Sequence, residues 1–453
     1  MHTQSRLVPR WSLLLIAMVL LLLALACSLS QPDVDATATY EAAEAYATQT
    51  AEAKEGDGAD DGSAETVKPK VQTPTLTPEP VEVDEGPVTV NIKADGSGDY
   101  ATLEAAMLAV PEGSTIVLGA GSFVLAEPID RSASVTLEGA GMDVTDISCG
   151  APGYVMHFGG GSFTLRDLTL RHEGTAEADV LWVDGGEVEL EGVRVSGAVT
   201  LDDGASHAGV RLSGSAGGAI FTSEATGNNL DGIRLEDEAS VTVEDSTCSD
   251  NVQNGIHFRD ASSGTVKRNS CSGNGLSGIV VTGTASATVD DNTLDANAES
   301  GLAYFDTGGG SARNNDMMNN ELHGISVNDE AQPTLEENVC SANEEDGIAF
   351  FERSAGTARG NTCSGNGLHG IGVSDEAAPM LVENVCRSNA EVGIRYGDTS
   401  GGTARSNEVT ENGLSGFILR DDAAPVLENN MANHNVESGI AYFQSAAGTA
   451  TDN

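Results

Sequence analysis

Basic and aromatic side chains are scarce in this chain of 453 residues: 22 Lys and Arg stand against 69 Asp and Glu, and 4% of residues are aromatic. The formal net charge of −47 excludes a nucleic-acid partner, because phosphate binding needs a basic footprint. Windows with a 3.6-residue apolar period are also few, which excludes a helical bundle. Cys and His do not cluster as a zinc cage would require. No His pair or Ser-His-Asp arrangement is readable, so triad chemistry has no visible foundation. Long apolar runs are confined to Trp11 to Ala26.

What the chain does contain is repetition. A Gly-plus-apolar step recurs eleven times at 23-residue intervals, from Gly209-Val210, Gly232-Ile233 and Gly255-Ile256 through Gly347-Ile348 to Gly416-Phe417 and Gly439-Ile440. A short fixed period means that each unit buries its apolar face only by stacking on its neighbours. Two Asn columns keep the same interval. One runs through Asn269, Asn292, Asn315, Asn338, Asn361, Asn384, Asn407 and Asn430 to Asn453; the other runs from Asn228, Asn251 and Asn274 to Asn435. A lone buried Asn is costly, but Asn stacked on Asn can satisfy its amide from the rungs above and below. Between Gly steps, stretches such as Gly324-Ile325-Ser326-Val327 and Pro333-Thr334-Leu335 alternate and are broken by turn formers, which predicts strands. Rungs ~4.8 Å apart would give the repeats a length on the order of 50 Å.

This spacing and inward Asn ladder resemble the right-handed parallel β-helix repeats of the pectin lyase-like superfamily. The expected fold is therefore all-β: a single-stranded right-handed parallel β-helix with 23-residue rungs over 209–453. Upstream, the amphipathic stretch Leu103 to Val110, closed by Pro111 and Gly113, predicts an N-terminal capping helix. With Ile116-Val117-Leu118-Gly119-Ala120-Gly121-Ser122-Phe123 it resembles the opening of pectinesterases. That resemblance implies fold and not chemistry, since the pectinesterase Asp-Phe-Ile-Phe-Gly-type and Leu-Gly-Arg-Pro-Trp-type stretches are missing. Residues 88–208 read as the cap and less regular rungs, with strands around Val135-Thr136-Leu137, Phe163-Thr164-Leu165 and Val188-Glu189-Leu190. Asn453 falls on the Asn column, so the sequence stops partway through a rung, as a fragment or a packed end would.

The first 26 residues read as a signal peptide. Arg6 and Arg10 precede an apolar run too short for a comfortable membrane span, and Ala24-Leu25-Ala26-Cys27 looks like a bacterial lipobox with Ala24 where an aliphatic residue is usual. The match predicts lipidation of Cys27 and attachment to a membrane through that lipid only; the alternative is an ordinary secretory signal. Residues 27–87 are acidic and rich in Ala, Thr and Pro, a composition that predicts a disordered spacer. Together these features place the protein outside the cytoplasm, at the cell envelope or surface.

Function is sought in the columns. Cys248, Cys271, Cys340, Cys363 and Cys386 interchange with Leu294, Met317 and Val409, which marks an inward packing position; buried thiols are expected over disulfides, whose Cβ geometry stacked strands rarely meet. Five residues after the repeat Gly runs a nearly unbroken acidic column, with Gly283 as an exception. Asp306, Asp329, Asp375 and Asp421, with Glu330, Glu376 and Asp422 beside them, offer a row of weak Ca²⁺ ligands; the alternative is that Asp caps a turn through its own backbone. No cofactor is required. Four residues after the repeat Gly, Phe305, Phe351 and Phe443 occupy alternate rungs in a row that Gly397 interrupts. Strict strand alternation would expose them as a sugar-stacking row, and a bend would tuck each beneath a turn. A further column, Glu244, Lys267, Asp290, Arg313, Glu336, Arg359, Val382, Arg405 and Glu428, alternates in sign except at Val382 and would lock register. Arg234, Arg259, Arg395 and Arg420 are too scattered to define a catalytic set, and the regularity of the repeat argues against an active site. The reading that follows is a surface binding or scaffold module for polysaccharide. The runner-up is a Ca²⁺-dependent polysaccharide lyase or hydrolase, and the third class is a passive stalk or adhesin.

Overall fold

The computed structural model describes residues 86–201 and 207–453. Cys27, the leader and residues 27–85 of the spacer lie outside the described residues. Among the described residues no helix is long and apolar enough to cross a membrane.

One rung shows the plan. Ile325–Val327, Thr334–Glu336 and Val339–Ser341 are three-residue strands, and the corners after them turn at Asp329, Glu337 and Ala342, where φ is 54–55°. Ile325, Val327, Leu335 and Cys340 point inward and are fully buried. Each strand pairs in parallel with its copy on the next rung, with Ile325 opposite Ile348, Thr334 opposite Thr357 and Cys340 opposite Cys363. The Gly-plus-apolar steps and their upstream equivalents build one 14-stranded sheet along the rod. This is the expected parallel β-helix.

Left-handed backbone at a non-Gly corner costs roughly 1–2 kcal/mol, and a corner leaves amides that the three-residue strands do not pair. The Asn ladders meet both demands. Asn338 Oδ1 accepts the Asn315 backbone N–H at 3.0 Å and its Nδ2–H at 2.9 Å. Asn338 Nδ2 donates to Ala312 O at 2.9 Å and Asn361 Oδ1 at 3.0 Å. Every lone pair and N–H of the side-chain amide is thus used. The same links join Asn269 to Asn292, Asn315, Asn361, Asn384, Asn407, Asn430 and Asn453, and the second column repeats them from Asn228 to Asn435. The repeat Gly is required by space. A Cβ on Gly324 would lie 2.6 Å from Gly347 O, 2.7 Å from Cys340 Cβ and 3.0 Å from Asn343 Nδ2.

Upstream, helix α1 (Leu103–Ala109) closes the coil. Thr102 Oγ1 accepts the Ala105 N–H at 3.2 Å, and Leu103, Ala106 and Met107 are buried. The Arg131 guanidinium donates to Met107 O and Val110 O at the helix C-terminus, where a cation also suits the helix dipole. Below it Val135–Glu138, Ser162–His172 and Glu187–Ser196 continue the parallel stack.

The alternating charge column corrects one expectation. Its members are register partners, such as Asp290 with Arg313 and Arg313 with Glu336, yet the ion pairs of Arg313 and Arg359 go to the corner residues Glu337 and Glu383, each at 3.0 Å, and Glu244 pairs with the corner residue Arg268. Strand side chains stand roughly perpendicular to the sheet, so stacked partners run alongside each other while a corner carboxylate reaches across. Cys149, Cys248, Cys271, Cys340, Cys363 and Cys386 are free and buried, as expected.

Asn338→Ala strips the acceptor from two donors of Asn315 at once and is expected to lower stability by roughly 2–6 kcal/mol, at about 1–3 kcal/mol for each buried group left unsatisfied. Thermal and denaturant unfolding would measure it; a loss below ~1 kcal/mol would mean that neighbouring rungs or water replace the ladder.

Candidate functional site

The middle residue of each strand in the 14-stranded sheet faces outward. In register these are Asp130, His157, Trp182, Arg211, Arg234 and His257, then Val280, Ala303, Ser326, Ala349, Gly372, Arg395, Ile418 and Ala441. Beside them runs the column that precedes the repeat Gly, whose polar members include Asp231, Asn254, Ser277, Ser300, His323, Asp346 and His369. Its side chains accept backbone N–H groups from the following rung, Asn254 N–H onto Asp231 Oδ1 at 3.1 Å, Asp346 N–H onto His323 Nδ1 at 3.3 Å and His369 N–H onto Asp346 Oδ1 at 2.9 Å. These two columns make a stripe along the rod.

Its upstream half gathers charge and rings. The Trp182 ring lies 4.2 Å from His157 and 6.1 Å from Tyr154, centroid to centroid, with the Arg211 guanidinium carbon 4.9 Å from its centre. That is cation–π distance. Trp182 Nε1–H donates to Ser213 Oγ at 2.9 Å. Arg211 Nε reaches Glu236 at 2.6 Å. Buried Asp179 accepts the Ala208 N–H at 2.6 Å and stands 3.2 Å from His207 Nδ1. Asp231 is fully enclosed, at 0% exposure, and Arg234 keeps 3%. Arg234 Nε and Nη2 meet Asp231 Oδ2 at 2.8 and 2.7 Å, and His257 Nδ1 stands 3.1 Å from the same oxygen. Burial pushes the Asp231 carboxyl up, but the His257 hydrogen bond and charge, with the Arg234 guanidinium, hold it well below the usual carboxylate range. Arg234 Nη1 is buried with no partner among the described residues.

Downstream, Asp346 occupies the column of Asp231 without its partners. Its exposure is 7%. Burial pushes its carboxyl up to about 7, against the pull of the His369 N–H. Burial likewise pushes His323 and His369 down to about 4, so both are neutral near neutral pH. Phe351 packs its ring 5.5 Å from His323 at 50°.

Phe305 and Phe351 are half-buried, which corrects the fully exposed row; Phe443, on the last rung, is 49% exposed. Alternation ends because the strands stop at Tyr304 and Phe350, and the backbone is already turning toward the left-handed corner residue that follows. The acidic column serves those corners. Asp306, Asp329 and Asp375 have φ near 55°, and each carboxylate accepts the amide of the preceding rung: Gly283 N–H onto Asp306 at 2.9 Å, Asp306 N–H onto Asp329 at 2.8 Å, Glu352 N–H onto Asp375 at 3.0 Å. The cap thus satisfies a neighbouring rung's backbone and not the residue's own. Asp306, Asp329, Glu330, Asp375 and Glu376 line an open trough of about 550 Å³ with Glu352 and Arg353. Arg353 pairs with Glu330 there, and Asp421 pairs with Arg420 at 2.9 Å; Asp422 is exposed. Among the described residues no three His, Cys, Asp or Glu side chains converge as a metal cage.

A parallel β-helix with one face given over to a charged and aromatic stripe is the class of protein that this geometry defines. The chain belongs to the right handed beta helix region family, whose model matches residues 179–338, 269–366 and 324–453. No curated protein matches the chain. Among solved structures it is similar to the catalytic unit of a thermostable GH87 alpha-1,3-glucanase from Streptomyces thermodiastaticus, at 15% identity over 80% of this chain and 70% of that one, with a TM-score of 0.53. It is also similar to the mannuronan C-5 epimerase AlgE6 A-module of Azotobacter vinelandii, at 15% identity over 77% and 92% with a TM-score of 0.40. The periplasmic alginate epimerase AlgG matches at 15% over 74% and 77%, TM-score 0.45. At these identities the likeness is one of fold.

The sequence reading missed the stripe. Its signal was present in the repeat as Arg211, Arg234 and His257, large and basic at a position where later rungs carry Val280, Ala303, Ser326, Ala349 and Gly372. His157 and Trp182 lie in irregular rungs that no fixed period aligns.

A carboxyl raised to about 7 from an ordinary 3.8 disfavours its charged form in the fold, so its penalty is absent below about pH 4 and complete above about pH 7. Asp346→Asn keeps the acceptor for His369 N–H and removes that penalty. Calorimetry across pH should find the variant more stable than wild type by roughly 2–4 kcal/mol at pH 8, at ~1.4 kcal/mol per pH unit, with the gap closing by pH 4. A gap independent of pH would show that Asp346 ionises freely.

Proposed function

We propose that this protein is a polysaccharide-engaging rod, secreted and held at the cell envelope through Cys27, whose binding face is the outward stripe of the 14-stranded sheet. The observation that carries this reading is Trp182, packed against His157 and beneath Arg211, in a chain with only two Trp. Amphipathic aromatic surface beside fixed hydrogen-bonding groups suits a sugar ring, which has an apolar face and a hydroxyl rim. A row of rungs with a constant spacing suits a polymer of repeating units. The GH87 neighbour, an alpha-1,3-glucanase, supports a glycan as the partner. Phe351, angled over the stripe beside His323, extends the same surface downstream.

A polysaccharide lyase or hydrolase is the second reading. It is favoured by the buried Asp231, Arg234 and His257 group and by the unpartnered Arg234 Nη1, since perturbed acids beside cations and His cluster at catalytic sites. Ca²⁺ enters this reading through the acidic trough.

Native electrophoresis through gels cast with neutral and acidic polysaccharides, with and without Ca²⁺, tests both. Retardation that Trp182→Ala reduces ~10-fold in affinity, the scale of one lost stacking contact of 1–3 kcal/mol, is the expected result. A cleared zone after staining the polymer would make the protein an enzyme. Unretarded migration in every gel would leave a structural rod.

A further inference from the structure

Asp231 and Asp346 share one column and one backbone role, each accepting the N–H of the next rung through Oδ1. Asp231 Oδ1 also accepts the Asn254 Nδ2–H at 2.9 Å, and the larger difference lies at Oδ2. Asp231 Oδ2 is met by Arg234 on its own rung and His257 on the next. In register, those two positions on the Asp346 rungs are Ala349 and Gly372. Oδ2 of Asp346 is directed over Gly372, where a Cβ would collide with it, and it has no hydrogen-bond partner among the described residues. No cationic side chain hydrogen-bonds to this Oδ2 as Arg234 does upstream, and the Arg395 charge pulls on the carboxyl only from a distance. Arg395, one rung further on, gives its Nη1–H to Ser374 Oγ at 3.0 Å instead. His323 and His369 flank the carboxyl as neutral rings, with Glu345 3.4 Å from His323 and Glu391 3.7 Å from His369.

We propose that the Asp346 slot, over Ala349 and Gly372 and beside the Phe351 and His323 rings, is a subsite for a protonated amine carried on a sugar, that is, a non-acetylated amino-sugar residue of a polysaccharide. The ammonium takes the place that Arg234 and His257 fill at Asp231, donating to Oδ2, and the apolar face of the sugar ring lies on Phe351. This assignment rests on the polysaccharide reading of the stripe. The aromatic wall favours a saccharide over a lysine side chain, whose stem is thin and offers no ring face. Net acidity of the whole chain raises the local concentration of any such polycation.

The test uses the full chain and calorimetric titration with oligomers of glucosamine, N-acetylglucosamine and glucose of one length at physiological salt. The expected result is binding of the glucosamine oligomer that falls ~10–100-fold in Asp346→Asn, the cost of one charge-assisted hydrogen bond, and changes less than ~2-fold in Glu408→Gln, which removes an exposed carboxylate on the 7-stranded sheet. Ala349→Arg, which restores the partner seen at Asp231, should weaken glucosamine binding in the same way. Equal loss in Asp346→Asn and Glu408→Gln would reduce the effect to bulk charge and overturn the site. Equal affinity for the three oligomers would overturn the amine assignment while leaving the polysaccharide reading intact if Trp182→Ala still weakens binding. A lysine oligomer that binds as tightly, and with the same dependence on Asp346, would overturn the saccharide as occupant. Binding of no oligomer by the wild type would overturn both readings.

Discussion

Everything in this rod depends on how the backbone amides at its corners are satisfied. Three-residue strands turn through left-handed residues such as Asp329, Glu337 and Ala342, and each turn leaves N–H groups that sheet pairing does not reach. The coil answers with a side-chain acceptor one rung away. Asn does this in two columns, Asp or Glu in a third, and a mixed set of Asp, Asn, Ser and His in a fourth. An unsatisfied buried amide costs on the order of 1–3 kcal/mol, so a vacancy repeated on every rung would exceed the whole stability of an ordinary domain.

The fourth column turns this structural requirement into chemistry. Ser277 or Asn254 satisfies an amide and adds no charge. Asp179, Asp231 and Asp346 satisfy the same amide and leave a second oxygen to be matched. Beside the first two stand Arg211, His207, Arg234 and His257; beside the third stand Ala349 and Gly372. One column therefore holds a carboxylate kept ionised and another carboxyl kept protonated into the neutral range. Two like groups driven apart by their surroundings are a recurrent mark of functional surface.

The repeat itself was legible because its signals are local and periodic. The Gly step, the Asn columns and the interchange of Cys with Leu294 and Met317 each state an inward or outward assignment that the structure repeats, and the capping helix follows from its own amphipathic stretch and Pro111. Exposure at the corners was less legible. Phe305 and Phe351 follow strand ends, where alternation stops, and the partners of the charge column are corner residues that no strand rule pairs. The acidic column was read for its charge, whereas its first duty is to a neighbouring rung's backbone.

The sequence by itself determined that this chain is a 23-residue solenoid of parallel strands with an inward amide ladder, because one period governs both packing and hydrogen bonding and any reader of the period reads both. Only the tertiary structure decided which of the scattered Arg, His and Asp residues meet. Tyr154, His157, Trp182 and His207 come from irregular turns of unequal length and Arg211 from the first regular one, and their alignment on one face is settled by strand register in the stack, which brings residues distant in the chain to one stripe.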